Sequence, residues 1–159
     1  MLKVLIVYDS RTGSTEKMAQ AVAEGAREVK GVKVKVKRVE KATLDDLLDA
    51  DGIIMGSPTY FGQMSGKLKE FVDESVKIYG KLKGKVGAAF TSAGGTATGA
   101  ETTILSILQA MLIHGMIVEG RHSAQHYGSA AVGAPRKKEI ESCRDLGKRV
   151  ASLVMKMAA

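Results

Sequence analysis

The stretch Val4–Ala19, VLIVYDSRTGSTEKMA, joins an apolar segment to an amphipathic one through a polar turn. Val4–Tyr8 is apolar and rich in β-branched residues, which is typical of a buried strand. The segment after Thr15 carries apolar residues at helical spacing. The sequence therefore predicts a strand followed directly by a helix, with the turn Asp9–Thr15 at the N-terminus of that helix.

The N-terminus of a helix leaves backbone N–H groups without partners and carries a partial positive charge. Four hydroxyl side chains gather there, on Ser10, Thr12, Ser14 and Thr15. A helix cap requires only one of them. The turn therefore predicts a site for a phosphate dianion held by neutral donors, as in a mononucleotide cofactor. A G-x-G-x-x-G dinucleotide motif after a strand and a Walker A loop are both missing, which argues against those two classes of site.

The composition fits a single domain spanning residues 1–159, with 45% hydrophobic and 26% charged residues. The apolar runs are too short for a membrane span, and the chain starts directly in a strand, so we expect a cytoplasmic protein without a signal peptide. A single cysteine, Cys143, excludes an internal disulfide and leaves too few thiolates for an iron–sulfur cluster or structural zinc. No metal site is predicted.

The chain has a net charge of +7, and in its densest basic stretch cations alternate with valines. Lys33, Lys35, Lys37 and Arg38 carry those charges, and a period of two places the lysines on one face of a strand. We interpret this as a solvated edge strand protected against pairing with a second molecule. A nucleic-acid surface is the less favoured alternative, because aromatic residues make up only 4% of the chain and do not interleave with the cations.

Helical and strand patterns alternate along the chain, which predicts a doubly wound α/β fold with a parallel sheet covered on both faces. The lysine-striped strand suits an edge and gives the strand order 2-1-3-4-5. The predicted strands cover 2–8, 32–39, 53–55, 85–91 and 115–119, with a short one at 128–132, and the helices cover 15–30, a short segment after Thr43, 65–79, 101–113 and a final segment from Pro135.

Ligands of such sheets bind at the carboxyl ends of the strands, so loops 9–15, 57–64 and 92–99 are the candidate site. In the second loop, Tyr60 and Phe61 can cover an aromatic ring, although Phe61 could instead plug the following helix. The third loop has only small side chains, so its N–H groups can approach a ring edge or a sugar; the alternative is a flexible loop without a role.

These motifs resemble those of flavodoxin-like FMN proteins over nearly the whole chain. The first turn is similar to the family's S-x-T-G-x-T phosphate loop. The second half resembles the WrbA-type NAD(P)H:quinone oxidoreductases most. That likeness rests on GSPTYFG at Gly56–Gly62, Phe90-Thr91-Ser92, Glu101-Thr102, His114-Gly115-Met116 and Tyr127-Gly128.

The resemblance implies a role for each loop in holding FMN. The phosphate would be held by Ser10, Arg11, Thr12, Gly13, Ser14 and Thr15. The isoalloxazine ring would be bordered by Pro58, Thr59, Tyr60, Phe61 and Gly62, with backbone N–H groups near N5 and O4. The pyrimidine side of the ring and the ribityl chain would lie along the third loop, at Ser92, Ala93, Gly94, Gly95, Thr96, Ala97, Thr98 and Gly99. His114 corresponds to a family histidine close to the flavin; on its residues alone it could equally be a helix C-cap.

The chain departs from the WrbA-type pattern in three places. It lacks the insertion between the second and third strands, it has no tryptophan, and Thr12 stands where those enzymes carry an aromatic residue. These features bear on nicotinamide binding and on tetramer formation. The chain is also basic, whereas flavodoxins are typically acidic.

Two functions follow from the resemblance. The first is an enzyme that passes electrons from NAD(P)H through FMN to a quinone. The alternative is an electron carrier between redox protein partners, and either could form a dimer or tetramer. A phosphorylated receiver domain has the same strand order, but Gly56-Ser57-Pro58 stands where that class needs an aspartate.

Overall fold

A computed structural model describes all residues, 1–159. Six strands form one sheet with five α-helices around it. The strands are β1 (Leu2–Tyr8), β2 (Val32–Arg38), β3 (Gly52–Pro58), β4 (Val86–Ala93), β5 (Ile117–Val118) and β6 (Ser129–Val132). The helices are α1 (Ser14–Arg27), α2 (Leu44–Asp49), α3 (Gly66–Glu74), α4 (Ala100–Ile113) and α5 (Lys137–Ala158), with 3₁₀ turns at Val39–Lys41 and Ser75–Ile78.

All strand pairs are parallel, in the order β2-β1-β3-β4-β5, which confirms the predicted topology. The fifth position of the sheet is divided between two short strands. β5 pairs with Val86–Gly87 at the start of β4, and β6 pairs with Phe90–Ala93 at its end. The carboxyl end of β6 therefore joins the edge of the sheet where the site was expected.

The helices cover both faces of the sheet. On one face α1 and α5 pack over a core that includes Ile6, Ile54 and Phe90, and on the other α2, α3 and α4 cover Leu5, Ile53 and Met55. The two helices of the first face approach closely because each places a glycine against the backbone of the other. A Cβ on Gly147 would lie 1.9 Å from the Val22 carbonyl oxygen, and one on Gly25 would lie 1.8 Å from that of Arg144.

Strands β3 and β4 are longer than predicted. β3 continues through Pro58 and β4 through Ala93, because the backbone pairing extends beyond them: Thr59 N–H donates to the Ser92 carbonyl and Gly133 N–H to the Ala93 carbonyl, both at 2.8 Å. The sheet therefore holds rigidly some residues that the sequence assigned to loops.

The edge strand is less solvated than its charge pattern suggested. The Nζ atoms of Lys35 and Lys37 lie 3.2 and 2.8 Å from the carboxylate of Asp46, a buried residue in the first turn of α2. Burial alone would raise the pKa of Asp46, but these bonds and those from Thr43 hold it far below its usual range. None of the helices is both long and apolar enough to cross a membrane.

Candidate functional site

The three predicted loops meet at the carboxyl edge of β1, β3 and β4, where they surround a cleft of about 210 Å³. Residues from all three loops line it, joined by a glycine that the sequence analysis did not select. The lining consists of Arg11, Thr12, Ser14, Thr15, Pro58, Thr59, Tyr60, Ser92, Ala93, Gly94 and Gly133. Gly133 follows β6, so its position depends on the pairing of β6 with β4.

The turn after β1 is held from inside by Ser10. Its Oγ accepts hydrogen bonds from the N–H groups of Gly13 and Glu16, each at 3.2 Å, and the residue is buried. Gly13 has a φ of +99°, a conformation that glycine adopts without strain. The Ser10 hydroxyl thus shapes the turn, which leaves other groups to face a ligand.

Those other groups are donors without partners in the chain. The backbone N–H groups of Thr12, Ser14 and Thr15 make no hydrogen bond, and the hydroxyls of Thr12 and Ser14 make none either. The Thr15 hydroxyl is already engaged, 2.8 Å from the Ser92 hydroxyl across the cleft. Free amides at a helix N-terminus are the donor set that binds a phosphate.

Arg38 supports this turn, and the sequence analysis did not identify that role. Its Nη2 donates to the Ser10 carbonyl at 2.7 Å, its Nη1 lies 3.2 Å from the Glu16 carboxylate, and its guanidinium stacks on the Tyr8 ring. Burial and the neighbouring Glu16 raise the pKa of Tyr8, whose hydroxyl donates to that carboxylate. Arg38 lies opposite Tyr8 in the register of β1 and β2. Aligning these two strands was the only way in which the sequence could have indicated the contact.

The second loop forms a tight hairpin turn. Tyr60 and Gln63 exchange two backbone hydrogen bonds of 3.0 Å, and Phe61 (φ +52°) and Gly62 (φ +74°) occupy the tip. The Phe61 side chain is fully exposed, so the interpretation of Phe61 as a plug for the following helix is wrong. The N–H groups of Phe61 and Gly62 have no acceptor in the chain. A bulky residue in the left-handed region is strained, which is common where a turn serves a ligand.

The third loop contributes less to the cleft than predicted. Ser92, Ala93 and Gly94 line it, whereas five residues predicted for the site do not: Gly95, Thr96, Ala97, Thr98 and Gly99. Gly99 (φ +109°) instead packs against the second loop. Its backbone lies so close to Gly62 that a Cβ on Gly99 would be 2.6 Å from the Gly62 Cα. None of residues 95–99 has a bulky side chain.

Arg11 connects the first loop to the second. Its guanidinium carbon lies 4.9 Å from the centre of the Tyr60 ring, within the range of a cation–π contact. Arg11 makes no ion pair, whereas Arg38 lies beside both Glu16 and Glu40.

His114 is not brought to this cleft. Helix α4 starts at the carboxyl edge beside Gly62 and runs back for 14 residues, about 21 Å, so its C-cap His114 lies at the opposite edge. There its Nε2 lies 2.8 Å from the Ser75 hydroxyl, and burial lowers its pKa. The direction of α4 therefore excludes His114 from a ligand in the cleft of the same chain, and the helix C-cap alternative fits its position.

Comparison with known proteins identifies the family. A family model described as a flavodoxin domain matches residues 5–117, most of the chain. The chain belongs to the flavodoxin family.

Two curated relatives of this flavodoxin-family protein carry different names. It is 44% identical to a flavodoxin of Aquifex aeolicus (strain VF5) over 162 aligned positions, covering 97% of this chain and 88% of the relative. It is 38% identical to an NAD(P)H dehydrogenase (quinone) of Archaeoglobus fulgidus over 191 positions, covering 99% and 100%. Since this chain has 159 residues, the second alignment includes segments that it lacks.

The fold also matches solved structures. The flavodoxin, WrbA-like protein of Agrobacterium tumefaciens superimposes with a TM-score of 0.85 at 27% identity, covering 98% of this chain and 99% of that one. Family membership implies FMN as the cofactor, and the cleft fits it. Free amides at the α1 N-terminus suit its phosphate, and the Tyr60 ring on the cleft wall suits a flat heteroaromatic ring. Phe61 and Gly62, which were predicted to border that ring, do not line the cleft.

Proposed function

We propose that this protein is an FMN-dependent oxidoreductase that passes electrons from NAD(P)H to a quinone-like acceptor. The observation that carries the proposal is a cleft with unpartnered backbone donors at a helix N-terminus on one wall and the Tyr60 ring on another. The donors lie at Thr12, Ser14 and Thr15. Two more free amides, those of Phe61 and Gly62, follow Tyr60 in the hairpin turn next to the cleft.

The reaction balances as NAD(P)H, a proton and a quinone giving NAD(P)⁺ and a hydroquinone. Bound FMN would supply the redox chemistry, since no side chain of the cleft is a redox group. The protein would bind the phosphate through the α1 N-terminus and border the ring with Pro58, Thr59 and Tyr60. It would also aim the free amides of the Phe61–Gly62 turn at the ring heteroatoms.

The small side chains of the loop after β4 favour an enzyme that admits a flat substrate. Residues 94–99 have small side chains, and Thr96, Ala97 and Thr98 are exposed. The relative from Archaeoglobus fulgidus is named an NAD(P)H dehydrogenase (quinone), which supports the same reaction.

An electron carrier between redox proteins is the second candidate. It is favoured by the length of the chain, which aligns with the Aquifex flavodoxin over 162 positions without the additional segments found in the dehydrogenase. The net charge of +7 would steer acidic protein partners toward it.

Anaerobic spectroscopy of the purified protein tests both. We expect the apoprotein to take up FMN with micromolar or tighter affinity, NADPH to bleach the flavin, and benzoquinone to restore its colour repeatedly. A flavin that NADPH does not reduce, but that dithionite reduces in two separate one-electron stages, would favour the carrier. Failure to bind FMN would overturn both candidates.

We also propose that the protein self-associates. Val76, Tyr79, Leu112 and Ile113 are all more than half exposed near the C-terminus of α4. From Thr102 to Ile113 this helix has no charged residue. Two copies that each carry a net charge of +7 repel each other, and this repulsion is smallest when uncharged faces meet. We therefore propose that a second copy of this chain covers the exposed apolar face. Analytical ultracentrifugation should show an oligomer that Ile113→Lys dissociates, whereas a monomeric native protein would exclude it.

A further inference from the structure

Arg11 carries the one uncompensated positive charge on the walls of the cleft. The other arginine of this region, Arg38, is neutralised by Glu16 at 3.2 Å and Glu40 at 3.5 Å. Arg11 lines the cleft and makes no ion pair. Asp9 is buried at the end of β1 and does not line the cleft.

Arg11 is an exposed residue whose backbone is placed by a turn and whose guanidinium is placed by one aromatic contact. Its backbone belongs to the turn that Ser10 holds, and its guanidinium lies 4.9 Å from the centre of the Tyr60 ring. A guanidinium stacked on an aromatic face keeps its full charge, since arginine does not lose its proton in proteins. The charge is thus held beside the part of the cleft that suits a flat ring, and not only beside the turn that suits a phosphate.

We infer that Arg11 is an electrostatic positioning residue that sets how strongly the site prefers reduced over oxidised FMN. This inference rests on the proposed binding of FMN in the cleft. Reduction by NAD(P)H transfers a hydride, which is two electrons and one proton, to the ring and so adds one negative charge to the ligand. A fixed positive charge beside the ring therefore stabilises the reduced ligand more than the oxidised one, which raises the reduction potential of the bound cofactor.

The test compares variants that change the charge by known amounts. Arg11→Ala removes one positive charge, Arg11→Glu changes the charge by two units, and Arg11→Lys keeps it. The matched control is Lys81→Glu, which changes the charge by two units at an exposed residue that precedes β4, at the opposite edge of the sheet. All four variants are loaded with FMN, and two quantities are measured: the dissociation constant of oxidised FMN and the midpoint potential of the two-electron couple.

We expect the preference for reduced FMN to fall about threefold in Arg11→Ala and about tenfold in Arg11→Glu. A tenfold change lowers the potential of a two-electron couple by about 30 mV. Arg11→Lys should stay near the native value and Lys81→Glu should change little. The shift should shrink as salt rises from 0.01 M to 1 M, because the Debye length falls from about 30 to about 3 Å.

A purely structural role for Arg11 predicts a different pattern. Loss of the Tyr60 contact would weaken the binding of oxidised and reduced FMN equally, in Arg11→Lys as well as in Arg11→Ala. The effect would not depend on the salt concentration. An Arg11→Glu potential equal to that of Lys81→Glu would overturn the inference while FMN binding still stood. If the native protein does not bind FMN, the proposed function fails and this inference fails with it.

Discussion

The Nη2 atom of Arg38 donates a 2.7 Å hydrogen bond to the backbone carbonyl of Ser10. This bond ties the last residue of β2 to the turn whose free amides face the cleft, although the two residues are 28 positions apart. The shape of the anion site therefore depends on a side chain outside it.

Replacing Arg38 with alanine should weaken FMN binding about tenfold, since a hydrogen bond from a charged group contributes about 1.5 kcal/mol or more. Isothermal titration calorimetry of the apoprotein measures this directly. Lys33→Ala is the matched control, because it removes an exposed cation of the same strand that makes no ion pair. Equal affinities in the two variants would show that Arg38 does not support the site.

Ser14→Asp should lower FMN affinity by about 100-fold or more while leaving the fold intact. A carboxylate in the first turn of α1 stabilises the helix N-terminus, but it repels a phosphate dianion at the same place. Thr12→Asp should act in the same direction. FMN titration with a parallel thermal melt separates the two effects, and Ser14→Asn serves as the neutral control. Native affinity in both acidic variants would remove the phosphate site from this turn.

Gly99→Ala should destabilise the protein by about 1–3 kcal/mol and weaken FMN binding. Its φ of +109° strains any residue with a Cβ, and that atom would lie 2.6 Å from the Gly62 Cα, so the two loops must separate. Urea unfolding and FMN titration give the two quantities. Gly66→Ala is the control, because a Cβ there meets nothing within 4 Å. If Gly99→Ala and Gly66→Ala have the same stability and the same FMN affinity, the contact between Gly99 and Gly62 contributes to neither quantity.

Stability should fall as the pH drops below about 6.5, and His114 should account for part of the fall. The Ser75 hydroxyl donates to the Val72 carbonyl, so His114 must donate to Ser75 through Nε2, and its buried Nδ1 has no partner. Burial lowers the pKa of His114 in the folded state, so the unfolded chain binds more protons below the ordinary value of 6.5, and unfolding becomes easier there.

The slope should stay well under about 1.4 kcal/mol per pH unit, because the ring keeps partial contact with water. Urea unfolding at pH 7.5 and 5.5 measures it, with His114→Gln as the comparison that cannot titrate. A variant with the same pH dependence as the native protein would exclude His114 as the source. The native protein and His114→Gln should bind FMN with the same affinity, since His114 lies at the edge of the sheet opposite the cleft.

The order of the sheet could be predicted from the sequence because its signals are local. Apolar runs mark the buried strands, helical spacing marks the segments between them, and the alternating lysines mark β2 as an edge. Together these place three loops at one edge of a doubly wound sheet. The hydroxyl-rich turn after β1 was visible for the same reason, since all of its parts lie within seven residues.

Only the tertiary structure decided which polar groups of the site hold the loops together and which remain free to bind a ligand. The sequence shows four hydroxyls, but not that Ser10 is used inside the turn or that Thr15 meets Ser92, 77 positions away. Pairing of β6 with β4 brought Gly133 to the cleft, and the direction of α4 took His114 away from it. A hydrogen-bonding group has a limited number of partners, and which ones it meets depends on segments far apart in the chain. Composition and local periodicity therefore determined where the cleft forms, and long-range packing determined which of its atoms remain free to bind.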